Sequence, residues 1–552
     1  MPTIRISALG LSAGMFSDLP VNLLPPRASP NLENVHVRRG FLRPRFGSLA
    51  FADRPNNDPV IKLFSARRED GTSELFRIKN RSDGGQGEIR RFDGANWAVI
   101  ADGAGVANGT LGGNDLDAWD AAVVLDKPIF VNGVADNVYW NPADGKLTLL
   151  TGNKSRYVVQ YLAATFLAHQ VDGGITRVNQ IQFSAPATFN DFASLGSGKV
   201  QLRDDPYPIT GLSVNRRFTV YKERSIVVGV PTGEKSRPIA YQSLNTGGIG
   251  LWASGLIGKL GVTDVFLASD DFYTFDGSGL PTPLQAPIRE LLLSEINAVR
   301  LRQGHTLHDP DLGEVYFFIP TGDDRFPRTA YVWNYKLNAW WRWQYASQIG
   351  ASAAHAISLS DTWATTVGTW DEDVGTWADL AGVSGRLSNI LGEAGEPTSP
   401  AGSTIYGRTL RLDAGANTDP FATPATVTWF YDLPSVDLEG AALDEKGQQI
   451  AVVKARDMKD LVQVDVLYQD LGASTPVVLS VSTDDGQNYQ TFASGALGGQ
   501  GAGVHRASFY GKLSGERLRL RLSLGSLGAP NTNAGFSIRD VFLYLHTVGG
   551  GR

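Results

Sequence analysis

The sequence predicts an all-β fold: an irregular β-propeller followed by a C-terminal β-sandwich. Three observations carry that expectation. Gly is abundant at 62 residues, beside 12 Trp, 17 Tyr and 25 Phe. Such a composition suits many short strands joined by tight turns. From about residue 60 to 345, short apolar or alternating runs are bounded by Gly, Asp or Asn, as antiparallel strands are. Long amphipathic patterns are nearly missing. The clearest helix candidate is 286–302, with Pro287 near its start and Leu291, Leu292, Ile296 and Val299 on one face.

The 552 residues suggest about three domains at roughly 100–200 residues each. Residues 1–60 read as an extended arm and the first strands. Leu23-Leu24-Pro25-Pro26-Arg27-Ala28-Ser29-Pro30 is held extended by its prolines. Residues 34–45 then read as strand, glycine turn and strand, carrying Arg38, Arg39, Arg43 and Arg45. These four are candidate contacts to a neighbouring subunit or to DNA; the plainer reading is a solvated strand face.

Residues 61–345 form the expected propeller. An aromatic strand, a polar or glycine turn and a second strand recur at Phe92-Asp93-Gly94, Tyr139-Trp140-Asn141, Tyr273-Thr274-Phe275-Asp276-Gly277 and Val332-Trp333-Asn334. They look like outer hairpins of blades, and their irregular spacing argues against a regular repeat array. Residues 346–425 read as Trp-rich loops and linker, with a small-residue stretch at 392–402. Residues 426–548 read as a β-sandwich able to fold by itself. Leu518-Arg519-Leu520-Arg521-Leu522-Ser523-Leu524 alternates as a strand with one wet face must. Trp340, Trp341 and Trp343, with Trp363, Trp370 and Trp377, are expected in the propeller core before any subunit contact.

Net charge is −6 with no Lys/Arg-rich tail, which argues against a dedicated nucleic-acid binder. It suits a surface that DNA slides past, since cation–phosphate contacts would hold the duplex back. Cysteine is missing, so disulfides, thiolate metal sites and a cysteine nucleophile are excluded. Met1-Pro2-Thr3-Ile4-Arg5 lacks the character of a signal peptide. No apolar run approaches the ~20 residues of a membrane span. The expectation is a chain made and kept soluble in a cytoplasm, without membrane insertion, that leaves by lysis.

No motif carries convincing chemistry, so no catalytic residue, metal site or cofactor is expected. His305-Thr306-Leu307-His308-Asp309-Pro310-Asp311 is the densest ligand-like cluster; it reads as a turn before the strand at Val315. Gly10-Leu11-Ser12-Ala13-Gly14 has the form of a nucleophile elbow without the strand–helix context it needs. Gly248-Ile249-Gly250-Leu251-Trp252-Ala253 matches a loose dinucleotide fingerprint with no βαβ unit around it. Asp115, Asp117 and Asp120, like Asp371, Glu372 and Asp373, read as solvated loops and not as calcium ligands. Ser482-Thr483-Asp484-Asp485-Gly486-Gln487-Asn488-Tyr489 resembles the Asp-box, a structural hairpin turn best known from sialidase propellers.

The order of segments resembles the β-propeller nozzle proteins of short-tailed bacteriophages, also called tail tubular or packaged-DNA stabilisation (head-closure) proteins. Leu24-Pro25-Pro26, leading to Asn31-Leu32-Glu33-Asn34-Val35 and Arg39-Gly40, is like their opening. Phe183-Ser184-Ala185-Pro186 running to Phe189-Asn190-Asp191-Phe192 is similar to their mid-propeller segment, and Tyr221-Lys222-Glu223-Arg224-Ser225-Ile226 to the next blade. Residues 268–277 and Tyr331-Val332-Trp333-Asn334-Tyr335 continue the series over about 20–345, while the added sandwich departs from many relatives. The resemblance implies a structural virion protein of the phage tail. It would form a homo-oligomeric ring, commonly sixfold, beneath the portal and its adaptor ring and beside other tail proteins or fibres. DNA would pass through the lumen without sequence specificity. The alternative is a tail-borne glycan-binding or depolymerase propeller.

Overall fold

In the computed structural model the described residues are 3–548, apart from 8–12, 20–22, 25–27, 39–40, 46, 53–54, 56–57, 81–86, 115, 152, 235–236, 358–385, 396–407, 417, 420–424, 434–439, 444–448, 454–457, 471–473, 485, 502, 516–517 and 525–535. Strands dominate, and the α-helix Arg289–Glu295 is only seven residues long. Among the described residues no helix is long and apolar enough to cross a membrane.

Local sequence explains the blades. In the fourth, Ile209–Val214 alternates buried and half-buried positions, whereas Phe218–Lys222 is buried throughout. The first strand is the innermost of its blade; the second is covered on both sides by neighbouring blades. Apolar runs such as Val315-Tyr316-Phe317-Phe318-Ile319 in Glu314–Ile319 mark the same covered position in the sixth. Turns close the hairpins tightly. Gly173 and Gly174, at φ +58° and +80°, supply the two left-handed positions between Ala164–Asp172 and Ile175–Phe183.

Seven such meanders occur among the described residues. Their innermost strands are Val60–Arg67, Asp120–Val124, Lys154–Tyr161, Ile209–Val214, Ile257–Leu260, His305–Asp309 and Gln348–Ile357. The first packs against the second and also against the last, so the series closes on itself. The protein is therefore a β-propeller, whose radial stacking covers the faces of the blades and leaves only their outer edges free.

The seventh blade lies where sequence reasoning placed loops and linker. Gln348–Ile357, Arg386–Gly395 and Thr409–Ala416 pair in order, and the N-terminal strand Gly47–Ala52 is the outermost member. The arm read as preceding the propeller thus completes it. The 392–402 stretch begins inside a strand, and its remainder lies outside the described residues, as do Trp363, Trp370 and Trp377. Trp340, Trp341 and Trp343 are fully buried core.

The sandwich also borrows from the arm. One of its sheets continues the sixth blade: Leu32–Glu33 runs parallel to Ala339–Gln344 through Arg342 and antiparallel to Phe430–Asp432 through Phe430. Arg519–Leu524, Thr475–Ser482 and Gln490–Leu497 follow in that order. The other sheet holds Gly503–Gly515, Met458–Asp470 and Phe536–Val548, joined by the hairpin Val35–Arg38 and Phe41–Pro44 and by Thr3–Ser7. Leu32, Val35, Val37 and Leu42 share one apolar cluster with Trp340, Trp343, Val464, Leu520 and Val541. The expectation of a self-sufficient sandwich at 426–548 is corrected on this point: part of its core comes from residues 32–42.

The expected helix over 286–302 shortens for a visible reason. Asn297 gives its backbone N–H to Pro320 and its side-chain amide to the Gly322 carbonyl (2.8 Å in each case), which ends the helix. Val299, assigned to the apolar face, is 86% exposed. At the other end, the Asp18 carboxylate accepts the Glu290 N–H at 3.1 Å, satisfying a first-turn donor.

Candidate functional site at the mouth of the propeller

The segments leading into the innermost strands gather around one end of the axis. Pro208–Thr210, Trp252–Ser254 and Ala298–Arg302 wall a cavity of about 190 Å³, completed by Tyr157, His169 and Glu223. Across the same mouth, Gln303 Nε2 donates to the Leu116 carbonyl at 2.6 Å. Gln303 precedes the sixth blade and Leu116 the second, so this bond spans two blades that are not neighbours and narrows the axial opening.

His169 is the most unusual residue of the cavity. It sits at a register shift in Ala164–Asp172, with φ +54°, a region that non-glycine residues seldom occupy and that tends to mark functional sites. Its ring meets Tyr157 edge-on, 6.1 Å between centroids, and Nδ1 lies 3.3 Å from the Ile209 carbonyl. Burial, reinforced by the nearby Arg156 and Arg302 charges, lowers its pKa to about 4. The ring is therefore neutral at pH 7. Nδ1–H donates to the carbonyl, and Nε2 is left as an acceptor with no hydrogen-bond partner among the described residues.

Charge around the cavity is unevenly balanced. Arg302 lines it and is exposed. Neither Arg302 nor Arg156 forms an ion pair among the described residues. Tyr157 is held protonated, its pKa raised chiefly by burial. Nearer the axis, Asp120 accepts the Val158 N–H at 3.0 Å, and burial raises its pKa against the pull of Lys62.

Other polar groups are spent on structure. Asp264 accepts Ser213 Oγ at 3.0 Å, Asn215 Nδ2 at 2.8 Å and the Tyr221 hydroxyl at 2.8 Å, tying the fourth blade to the fifth. Lys222, fully buried, donates to Asp205 at 2.8 Å, and Ser225 to the other oxygen at 2.6 Å. Asp432, 1% exposed, is gripped by Arg521 at 2.6 and 2.9 Å and by Arg519 at 3.3 Å.

The sequence-level candidates fare unequally. Arg45 is no surface contact: it is 3% exposed, donates to Asn34 Oδ1 at 2.9 Å and to the Gln344 carbonyl at 3.0 Å, and stacks over Tyr345 at 4.6 Å. The reason is position, since Arg45 fills the joint between arm, sixth blade and sandwich. Arg43 is half-buried opposite His36. The Arg38 side chain and Arg39 lie outside the described residues. His305 and His308 do not form a turn; both lie on the innermost strand His305–Asp309, where His305 stacks on Phe318 (4.7 Å) and His308 faces Tyr335. Among the described residues, no group of three or more His, Asp or Glu is arranged to hold a metal.

Gly14 sits against the Trp340 backbone, where a Cβ would come within 2.5 Å of the carbonyl oxygen. Gly250 has the same constraint against Lys222. Both motif glycines therefore serve close packing, and the second delivers Trp252 to the cavity. Asp117 accepts the Asn114 N–H at 2.8 Å within its loop; Asp115 and Asp371–Asp373 lie outside the described residues. The Asp-box-like segment is a turn between two strands: Ser482 Oγ donates to Asp484 at 2.6 Å, and Asp484 accepts the Asn488 N–H at 2.9 Å. Sequence reasoning missed Tyr157, His169, Trp252 and Arg302. The available signal was His169-Gln170, a polar pair inside an apolar strand.

Closed blades around a polar mouth, with a sandwich continuing one blade, define the class as a β-propeller fused to a β-sandwich. No protein-family model matches the sequence, and no curated protein sequence matches it either. Among solved structures, the chain is similar to PorZ, a surface component of the type-IX secretion system of Porphyromonas gingivalis, with 13% identity and a TM-score of 0.34. That likeness covers 65% of this chain and 40% of PorZ, so the chain spans well under half of that protein. A catalytically inactive virginiamycin B lyase from Staphylococcus aureus is similar at 9% identity and TM-score 0.36, over 66% of this chain and 97% of the lyase. The Pan2 WD40 domain of Neurospora crassa is similar at 8% and 0.35, over 67% and 95%. The propeller assignment rests on the blade topology and not on these likenesses.

Proposed function

We propose that this chain is a structural virion protein, a tail nozzle subunit that forms a closed ring through which phage DNA is retained and ejected. The observation that carries this reading is the N-terminal arm. Within residues 28–52 it runs beside the sixth blade, enters both sandwich sheets and closes the seventh blade. A subunit wedged between a portal-adaptor ring and distal tail proteins must pass load without bending at a hinge, and backbone pairing across every joint suits that task. The lumen argument points the same way. Net charge is −6, and Arg45 is spent inside the fold, unavailable to hold DNA as aligned cations would. A head-to-tail ring, commonly sixfold in the family the sequence resembles, satisfies each lateral surface. Electron microscopy of the particle tests the reading. A ring of this chain below the portal is expected; the chain found outside any ring would refute it.

The cavity at the mouth favours a second reading, a tail-borne glycan-binding propeller. Release of reducing sugar from capsule or lipopolysaccharide by the purified chain would extend it to a depolymerase.

A further inference from the structure

The cavity at the propeller mouth has the chemistry of a ligand site, and its lining restricts what can enter. Its volume of about 190 Å³ falls below the ~300–1,000 Å³ of drug-sized sites, which limits the occupant to a single small ring. Trp252 and Tyr157 offer flat apolar surfaces, suited to a ligand with one apolar face. Arg302 presents a guanidinium without a carboxylate partner among the described residues, which calls for an anion and favours the planar, two-oxygen geometry of a carboxylate.

The remaining polar groups add a second demand. Glu223 brings a carboxylate to the wall, and the bond from His169 Nδ1 to the Ile209 carbonyl leaves Nε2 as an acceptor. Both can accept hydrogen bonds from a ligand's hydroxyl groups. A bare inorganic anion offers no apolar face to Trp252 and Tyr157. A neutral polyol supplies donors but leaves Arg302 unmatched. The left-handed backbone of His169 holds the imidazole against Tyr157 at a local cost, as residues at binding sites often do. The low pKa of His169 agrees with this, because a neutral ring keeps Nε2 an acceptor across the physiological range.

We propose that this cavity binds a single carboxylated sugar ring, of the uronic-acid class, such as terminates or branches an acidic surface glycan. Arg302 takes the carboxylate, Trp252 and Tyr157 cover the apolar face, and Glu223 and His169 Nε2 accept hydroxyl protons. The inference concerns recognition only and requires no bond to be made or broken. It stands whether or not the chain forms a ring.

Titration calorimetry of the full-length chain with glucuronate, with glucose and with a small amino acid tests it. Saturable binding of glucuronate, with glucose at least about tenfold weaker, is the expected result for one charge-assisted contact. Arg302→Gln, at an exposed position, should lower glucuronate affinity about tenfold while leaving the circular-dichroism spectrum and melting unchanged. Glu223→Gln should weaken binding less. Equal binding of glucose, preferential binding of the amino acid, an unaffected Arg302→Gln variant, or no saturable glucuronate binding at millimolar concentration would each overturn the proposal.

Discussion

The first five blades and the seam between the last two blades and the sandwich are built by opposite means. Each of the first five is a sequential meander, from Val60–Arg67 through to the blade begun by Ile257–Leu260, the second adding the nearby Ala101–Asp102 at its outer edge. Their hairpins are local, and buried polar contacts such as Asp264 with Tyr221 join successive blades. The seam is non-local. Ser29 Oγ donates to the Asp432 carbonyl across 403 positions of sequence, Asn34 Nδ2 to the Thr428 carbonyl across 394, and Arg45 to the Gln344 carbonyl across 299. The difference teaches where this fold is vulnerable. Local blades tolerate a lost contact because their strands still pair, whereas the seam depends on one arm arriving correctly.

Removing the arm should have the largest effect. A chain starting after residue 46 should lose a soluble sandwich, and fragment 426–548 alone should lack a cooperative melt until residues 1–46 are supplied in trans. Circular dichroism and solubility report this, and a well-folded isolated 426–548 would erase the distinction. Next is Arg45→Ala, which takes one of the two donors from Asn34 Oδ1, the Gln344 N–H being the other, and leaves a hole beside Trp343 and Tyr345. It should cost about 2–4 kcal/mol in denaturant unfolding, from the lost hydrogen bonds, stacking and filled volume. Arg45→Lys should rescue little, because lysine cannot reproduce the planar fork or the stacking.

Asp264→Ala probes the local side. Ser213, Asn215 and Tyr221 would lose a shared acceptor, at about 2–4 kcal/mol in total, with the sandwich signal unchanged. The smallest effect per step of the measurement comes from pH. Burial lowers His169 and His355 to about 4 and His305 to about 3. Between those values and the unfolded pKa near 6.5 the unfolded chain binds more protons. The stability these histidines give is therefore present above about pH 6.5 and is lost as pH falls towards 4, by at most about 1.4 kcal/mol per pH unit for each. The buried carboxyls Asp120 and Asp264, whose pKa values are raised, oppose this trend. His355→Gln, which can still accept from Ser65, should flatten the pH dependence of the urea midpoint; an unchanged slope would count against a buried neutral ring.

How much of this was legible follows from what each part depends on. Strand runs such as 217–222 and 315–319 could be read directly, because apolar residues between Gly and Asp turns encode strands locally. The sandwich strands at 449–453, 477–481 and 518–524 were readable for the same reason. The seventh blade was not. Its strand Gln348–Ile357 reads Gln-Ile-Gly-Ala-Ser-Ala-Ala-His-Ala-Ile, small residues packed closely against the first blade, where Gly350 leaves room only for the Val60 carbonyl. Small residues carry a weak strand signal. Gln490–Leu497 and Gly503–Gly515 were missed because exposed edge positions lack apolar alternation. Arg45 looked like a surface cation because nothing in a sequence announces a tertiary partner 299 positions away. The cavity escaped because its residues come from six separate segments, each unremarkable by itself.

Differential scanning calorimetry of the intact chain tests most directly the claim that arm, propeller and sandwich form one mechanical body. The account predicts a single transition in which calorimetric and van't Hoff enthalpies agree, shifted as a whole by Arg45→Ala. Two separable transitions, with only the smaller one moved by that substitution, would contradict it.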